Sequence, residues 1–366
     1  MNKKIKIVNK KKFAVACLIF LIMIILLSKL LSLIINSASG HALMDNVALA
    51  ADKNGSITLE ENEFYKKYTI DCKKSIEKLN YDEKNDLIEV SVMKDAIDNV
   101  NIKSSSKVQG KDVTYDKNEN RIILKFNKQF KENNYIYIDN ADKKKIIVLL
   151  SKKEKPYNHV AVLDPGHGGV DKGTNLKNIY EKDLTNKIVN YAEKELIFKG
   201  CKIIKTRYED KWVDLKEIGN ITNKANAEAF ISVHINSNKE SKYKGVASYY
   251  YFNDKGEQKD ERMALAKTMQ KEILKSDNWY DRGIIKDRLA VLRYSNVPAV
   301  LLECGFLSNE EDRDKLSKEE VLKNFGNNIC NGLLNYLNSD KNKGIDYYNK
   351  SKTDMSRDKT ATADDK

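Results

Sequence analysis

The sequence predicts an α/β sandwich in its second half, a small β-rich domain before it, and one N-terminal transmembrane helix. Three observations carry this expectation. From residue 159 onward, short apolar runs alternate with segments of helical periodicity, the pattern of a sheet layered with helices. Between residues 55 and 150, short β-like runs are separated by polar turn segments. Residues 13–36 form a nearly uninterrupted apolar stretch.

The N-terminal element comes first. Residues 1–12 hold six lysines and no acid, and Phe13–Asn36 is broken only by Ser28, Lys29 and Ser32. A spanning helix needs about 20 apolar residues, and the basic segment before it stays cytoplasmic by the positive-inside rule. A cleaved signal peptide is the competing reading. Its apolar region is normally about 7–15 residues, shorter than this one. The small residues Ala38, Ser39, Ala48 and Ala50 nevertheless leave cleavage and secretion as the alternative. Either way the chain beyond residue 40 lies outside the cytoplasm, with residues 37–54 as a linker. The expected location is therefore the cell membrane, single-pass, with the second half of the chain outside.

The β-rich domain, residues 55–150, is expected from the runs Leu87–Val92, Arg121–Phe126, Tyr135–Ile138 and Lys145–Leu150, with Asp116–Asn120 as a turn. It contains no catalytic constellation and reads as a spacer with some cell-surface binding. Pro156 and Asn158 mark the next boundary. Val160–Leu163 then reads as a strand entering the glycine-rich turn Asp164-Pro165-Gly166-His167-Gly168-Gly169. A helix is expected over 182–199, where Leu184, Ile188, Tyr191, Ala192 and Leu196 share a face and Gly200 supplies a stop. Cys201–Thr206 reads as a strand, 214–227 as a helix, Phe230–Ile235 as a strand, Glu261–Leu274 as a helix, and Val300–Leu302 as a buried strand entering Glu303. This α/β region is expected to span 156–338. The Lys-, Asn-, Asp- and Ser-rich residues 339–366 read as a disordered tail.

Composition bounds the function. The 366 residues carry a net charge of +12 and 41% hydrophobic residues, enough for packed cores and suited to an anionic partner. No nucleic-acid-binding signature accompanies the charge. The five cysteines contain no CxxC pair, which argues against a disulfide framework or a cysteine zinc cluster. At most Cys72 could pair with Cys201 or Cys330. Cys17 reads as a membrane residue.

Histidine is scarce, so the four that occur are informative: His41, His159, His167 and His234. His41 falls in the linker, and His159 opens a strand and reads as structural. His167 follows the first strand of the α/β region, Glu181 opens the first helix, and His234 ends the third strand. Two histidines and a glutamate are a known ligand set for catalytic zinc, which keeps a fourth position open. Glu303, at the end of a buried strand, is the candidate proton carrier. The ligands lie 14 and 53 residues apart without a compact HExxH, so spacing alone leaves structural histidines at strand ends as the competing reading.

Residues 159–338 resemble the bacterial zinc-dependent N-acetylmuramoyl-L-alanine amidases. The resemblance is carried by blocks in the same order: Val162–Gly169, Asp171 and Gly173, Glu181-Lys182, Thr206-Arg207 with Asp210, Phe230–Asn236, Arg282-Gly283, Leu292-Arg293, and Pro298–Asn309. It implies a mixed sheet flanked by helices and a Zn2+ ion held by His167, Glu181 and His234. It implies Glu303 as the catalytic residue and peptidoglycan as the substrate, cut between N-acetylmuramic acid and L-alanine. Asn236, Arg282 and Gly283 are candidates for substrate binding. Arg207 is expected to orient a carboxylate such as Asp210 or to hold the sheet edge. The sequence departs from the family pattern at Ile218, where arginine is common, and at Thr222, where alanine is usual. Two rival readings stand beside the amidase: an inactive amidase-like module that binds the wall, and a zinc peptidase cutting within the stem peptide.

Overall fold

The computed structural model describes residues 57–97 and 113–339. The expected anchor at 13–36, the linker at 37–54 and almost all of the expected tail lie outside these residues. Among the described residues no helix is long and apolar enough to cross a membrane.

The first eight strands are β1 (Ile57–Glu61), β2 (Tyr65–Asp71), β3 (Asn80–Glu83), β4 (Leu87–Met93), β5 (Val113–Lys117), β6 (Arg121–Asn127), β7 (Tyr135–Ile138) and β8 (Lys145–Ser151). They form two antiparallel four-stranded sheets, in the orders β1-β2-β8-β7 and β3-β4-β6-β5. Alternation explains the pairing. Ile88, Val90 and Val92 of β4 and Ile122, Leu124 and Phe126 of β6 face inward, against Tyr68, Ile70, Ile146, Val148 and Leu150 of the other sheet. Strand β8 is buried on both faces, as its run Ile-Ile-Val-Leu-Leu demands.

The outward side chains of β8, Ile147 and Leu149, join Phe64 and Tyr65 against Phe198 of the following α/β region. Asn62 Nδ2 donates to the Phe198 carbonyl at 2.8 Å across the same junction. The β-rich segment is thus packed onto the α/β region along one sheet face.

The α/β region contains β9 (His159–Pro165), the short hairpin β10 (Asn175–Leu176) and β11 (Ile179–Tyr180), α1 (Glu181–Phe198), β12 (Cys201–Lys205), α2 (Leu215–Lys224) and β13 (Ala229–Asn236). It continues through β14 (Val246–Tyr250), α3 (Lys259–Ile273), β15 (Asp281–Lys286), α4 (Ala290–Tyr294), β16 (Ala299–Phe306), α5 (Glu310–Leu316) and α6 (Glu319–Leu337). The six-stranded sheet has the order β12-β9-β13-β16-β14-β15. Strands β12, β9, β13 and β16 run parallel, and β14 pairs antiparallel with β16. This is the mixed sheet flanked by helices that the resemblance implied.

One face of the sheet packs Leu163, Ile231, Val233, Val300 and Leu302 against α1, α3 and α6, through Ile188, Ala192, Leu265, Met269, Phe325 and Ile329. The other face packs Val162, Phe230, Ala299 and Leu301 against Ile218 of α2 and Leu292 of α4. Fully burying such a side chain contributes about 1.5–3 kcal/mol. Ile218 therefore serves as packing where an arginine is common, and the Thr222 hydroxyl is spent on the Ile218 carbonyl at 2.8 Å. Cys72, Cys201, Cys304 and Cys330 are all free and buried, and none of them is disulfide-bonded.

Candidate metal centre

Strands β9, β13 and β16 run parallel, so their carboxyl ends open together, the place where open α/β sheets bind ligands. His167 lies just beyond β9. His234 sits near the end of β13 and is in register with Glu303 of β16. Glu181 is the first residue of α1 and is fully buried. Ligand atoms of His167, Glu181 and His234 all lie within 4.8 Å of one another.

The backbone around His167 is built for this approach. His167 itself has φ 63°, in the left-handed region that ordinary residues avoid. A Cβ on Gly166 would fall 2.4 Å from the His234 ring, and one on Gly173 would fall 2.5 Å from Glu181 Oε2 and 2.6 Å from His167 Cδ2. Glycine at these two positions lets the backbone wall the cluster closely.

The Glu181 carboxylate is the hub. Its Oε1 lies 3.0 Å from His234 Nδ1 and 3.1 Å from His167 Nε2, and it accepts the Ile235 N–H at 2.9 Å. Its Oε2 accepts the Thr174 N–H at 2.8 Å. On its far side, the His167 Nδ1 stands 2.8 Å from Asp171 Oδ2. Burial alone pulls the His167 pKa down, but Glu181 and Asp171 outweigh it and hold the ring above its ordinary value.

Beneath the cluster, a buried polar network fixes the loop. Asp164 accepts from Thr206 Oγ1 at 2.5 Å and Ser232 Oγ at 2.7 Å. Arg207 donates to the carbonyls of Pro165 (2.9 Å), Gly166 (3.3 Å) and Lys182 (2.9 Å), tying the His167 turn to the start of α1. Arg207 therefore holds backbone, not a carboxylate. Asp210 is taken instead by the Gly169 N–H at 2.7 Å and by Lys182 Nζ at 2.6 Å.

The other candidates sit nearby in the fold. Asn236 ends β13, and its side chain accepts the Ser237 N–H at 2.8 Å. Arg282, in β15, lays its guanidinium over the rings of Phe306 (5.3 Å) and Tyr243 (5.7 Å). Gly283 follows with φ 78° and donates to Asp281 Oδ1 at 2.7 Å. Burial, then Glu303, lifts the Tyr249 pKa to about 12, while Arg282 opposes them, so Glu303 and Arg282 act on one phenol. Cys304 lies in the apolar core and burial pushes its thiol pKa far up, which keeps it a neutral packing group. His159 binds Glu228 at 3.0 Å at the start of β9, away from this end of the sheet. Sequence reasoning named Asp171 only as part of a matching block and gave it no role, and it passed over the Thr174 and Ile235 amides. Asp171 left a signal, an acid four residues after a histidine; backbone amides leave none.

A sequence model of the family described as N-acetylmuramoyl-L-alanine amidase matches residues 161–335. The uncharacterized protein YqiI of Bacillus subtilis is 31% identical over 174 residues, which cover 48% of this chain and 82% of YqiI. The chain belongs to the N-acetylmuramoyl-L-alanine amidase family. The probable cell wall amidase LytH of Staphylococcus epidermidis is 34% identical over 182 residues, 49% of this chain and 58% of LytH. The chain thus spans little more than half of LytH. Among solved structures, the N-acetylmuramoyl-L-alanine amidase from Clostridium difficile 630 is 34% identical, with 50% of this chain and 98% of that one covered and a TM-score of 0.47. The family match takes in all four of His167, Glu181, His234 and Glu303 and leaves the β-rich sheets outside it.

Proposed function

We propose that this chain hydrolyses the amide between N-acetylmuramic acid and the L-alanine of the stem peptide in peptidoglycan, using Zn2+ held by His167, Glu181 and His234. The convergence of these three side chains, from three separate segments, carries the reading. The donor set fits the ion. Ligand atoms about 2.1 Å from a tetrahedral zinc stand roughly 3.4 Å apart, close to the 3.0 and 3.1 Å between Glu181 Oε1 and the two rings. His167 Nε2 is also buried without a hydrogen-bond partner, which a cation in this position explains.

Zinc bound here supplies an acidified water molecule and polarises the scissile carbonyl. Glu303 takes a proton from the attacking water and returns it to the leaving nitrogen of L-alanine. Its burial, at 5% exposure, removes competing solvent from that transfer. Asn236 and Arg282 are assigned to the substrate side of the cleft, with Gly283 giving the backbone room.

The test is Glu303→Ala. It is expected to keep zinc at the wild-type stoichiometry and to lower the rate of stem-peptide release from purified peptidoglycan by about 100- to 10,000-fold. Wild-type release from this variant refutes the role of Glu303. The proposal also places the catalytic end outside the cytoplasm, tethered by residues 13–36. Fractionation of cells expressing the tagged chain checks this: recovery in the membrane pellet supports the tether, and recovery in the medium supports cleavage.

A further inference from the structure

We propose that Trp212 is a substrate-contacting specificity residue that holds a sugar ring of the glycan strand beside the metal centre. The inference rests on the amidase reading above for its substrate, and on the loops around His167 for its cause.

Exposed apolar groups are not spread evenly over the α/β region. Among the described residues from β9 onward, the exposed large hydrophobic side chains are Val170, Leu176, Tyr208, Trp212, Leu215 and Tyr280. All of them belong to one end of the sheet. Val170 and Leu176 lie between His167 and Glu181, and Tyr208, Trp212 and Leu215 lie between the end of β12 and the first residue of α2. Tyr280 directly precedes β15, whose first residue pairs with Val246, itself opposite Cys304 near the end of β16. Single exposed hydrophobic residues mean little, but a cluster of them beside a cleft marks a binding surface.

Within this cluster Trp212 is fixed next to a proposed metal ligand. Gly168 and Gly169, which follow His167, have φ values of 143° and 58° and lie flat against Lys211 and Trp212. A Cβ on Gly169 would fall 2.8 Å from the Trp212 nitrogen. The Gly169 N–H donates to Asp210 Oδ1 at 2.7 Å, and Lys182 Nζ bridges the Gly169 carbonyl at 3.0 Å and Asp210 Oδ2 at 2.6 Å. On the other side of Trp212, Val213 packs against the core that holds Ile218 and Leu292. The backbone of residue 212 is therefore pinned from both sides, while its side chain stays 56% exposed, near Val170 at 89%. Tyr208 turns back onto β12 instead: its hydroxyl accepts the Lys205 N–H at 3.3 Å, and the Lys205 ammonium lies 4.9 Å from its ring. Among the described residues the Trp212 side chain has no such tie.

The substrate supplies the match. Only the lactyl group separates the scissile amide from the muramic acid ring, so the sugars lie against the protein within reach of the His167 turn. A pyranose ring carries C–H groups on its faces and hydroxyl and acetamido groups around its rim. It fits a flat apolar surface with water at its edge, which an indole on an exposed, rigid turn provides.

The test uses the full chain and two readouts. The chain has two tryptophans, and Trp279 is buried at 5% exposure, so iodide quenches Trp212 selectively. Peptide-free glycan strands are expected to shift the emission to shorter wavelength and to protect it from iodide, and isolated stem peptides are not. Trp212→Ala is expected to raise the peptidoglycan concentration for half-maximal rate by about 3- to 10-fold, with kcat and zinc stoichiometry unchanged. Trp212→Tyr keeps an aromatic face and is expected to restore most of the loss. A merely structural role would lower kcat and would give no protection by glycan. Wild type that glycan strands do not protect, or that stem peptides protect instead, overturns the inference, as does Trp212→Ala with unchanged half-saturation. Should Trp212→Ala not fold, the wild-type quenching and Trp212→Tyr still decide. Protection by glycan without any release of stem peptides would sink the amidase reading and leave the sugar contact standing.

Discussion

The paired four-stranded sheets and the carboxyl end of the six-stranded sheet use burial in opposite ways. Among the described residues before β9, Ser151 is the one polar residue buried as a whole, and the covered Lys128 side chain is paired with Glu83 at 3.0 Å; the rest of that core is mostly apolar. From β9 onward, Asp164, Glu181, Thr185, Arg207, Ser232, His234 and Glu303 are all buried, and most of them gather at one end of the sheet. A buried charge costs several kcal/mol unless it is paired and hydrogen-bonded. The sandwich avoids that cost, and the catalytic end meets it with the networks around Glu181, Asp164 and Arg207. One region is organised to be stable, the other to hold charge where chemistry needs it.

Substitutions can break this contrast, and the largest effect is expected at its centre. Glu181→Ala removes the carboxylate shared by both histidine rings and the Thr174 and Ile235 amides. It is expected to abolish stoichiometric zinc binding and, with it, measurable peptidoglycan hydrolysis; metal analysis after gel filtration checks this. Next comes Gly173→Ala, whose added Cβ meets Glu181 and His167 at a φ of +62°. Weaker zinc binding and lower activity are expected with little change in global stability, read by chelator titration beside a denaturant melt.

The sandwich should respond in the reverse sense. Leu124→Ala, at a fully buried β6 position, is expected to cost about 2–5 kcal/mol of stability while the folded protein keeps its zinc stoichiometry. Loss of zinc from folded Leu124→Ala protein would mean that the two regions are coupled more tightly than their cores suggest.

The smallest effect belongs to the junction between them. Lys194 of α1 is partly buried there, its ammonium 4.2 Å above the Tyr137 ring, and desolvation lowers its pKa from 10.5 to about 8. Its charged form is thus disfavoured in the folded state. Between these two values the unfolded chain binds more protons, so stability rises with pH across that window and is flat below it. Lys194→Met is expected to remove this rise, a change on the order of 1–3 kcal/mol, in urea melts taken on either side of the window.

What the sequence disclosed follows the same division. Strands β4, β6, β7 and β8 were legible because branched and aromatic residues cluster in them, and α1 because its apolar spacing is regular. Strand β3, Asn-Tyr-Asp-Glu, is exposed throughout and carries no alternation to read. Strand β15 is interrupted by Gly283, and the stripe of α6 is diluted by five asparagines along its length. At the site, His167, Glu181, His234 and Glu303 were visible as chemical types at element ends. Their convergence was not visible, because it depends on the parallel register of β9, β13 and β16 and on the left-handed turn at His167. Arg207 holds structure, as the sequence reading favoured over a carboxylate partner, but its partners were not legible because they are carbonyl oxygens, which every residue has.

The most direct test of the central claim is mass spectrometry of the products when the zinc-loaded chain digests purified peptidoglycan. The amidase reading predicts intact stem peptides with a free L-alanine amino group, together with glycan strands whose muramic acid carries a free carboxyl group. Peptides cut inside the stem, or no release from zinc-loaded protein, would contradict it.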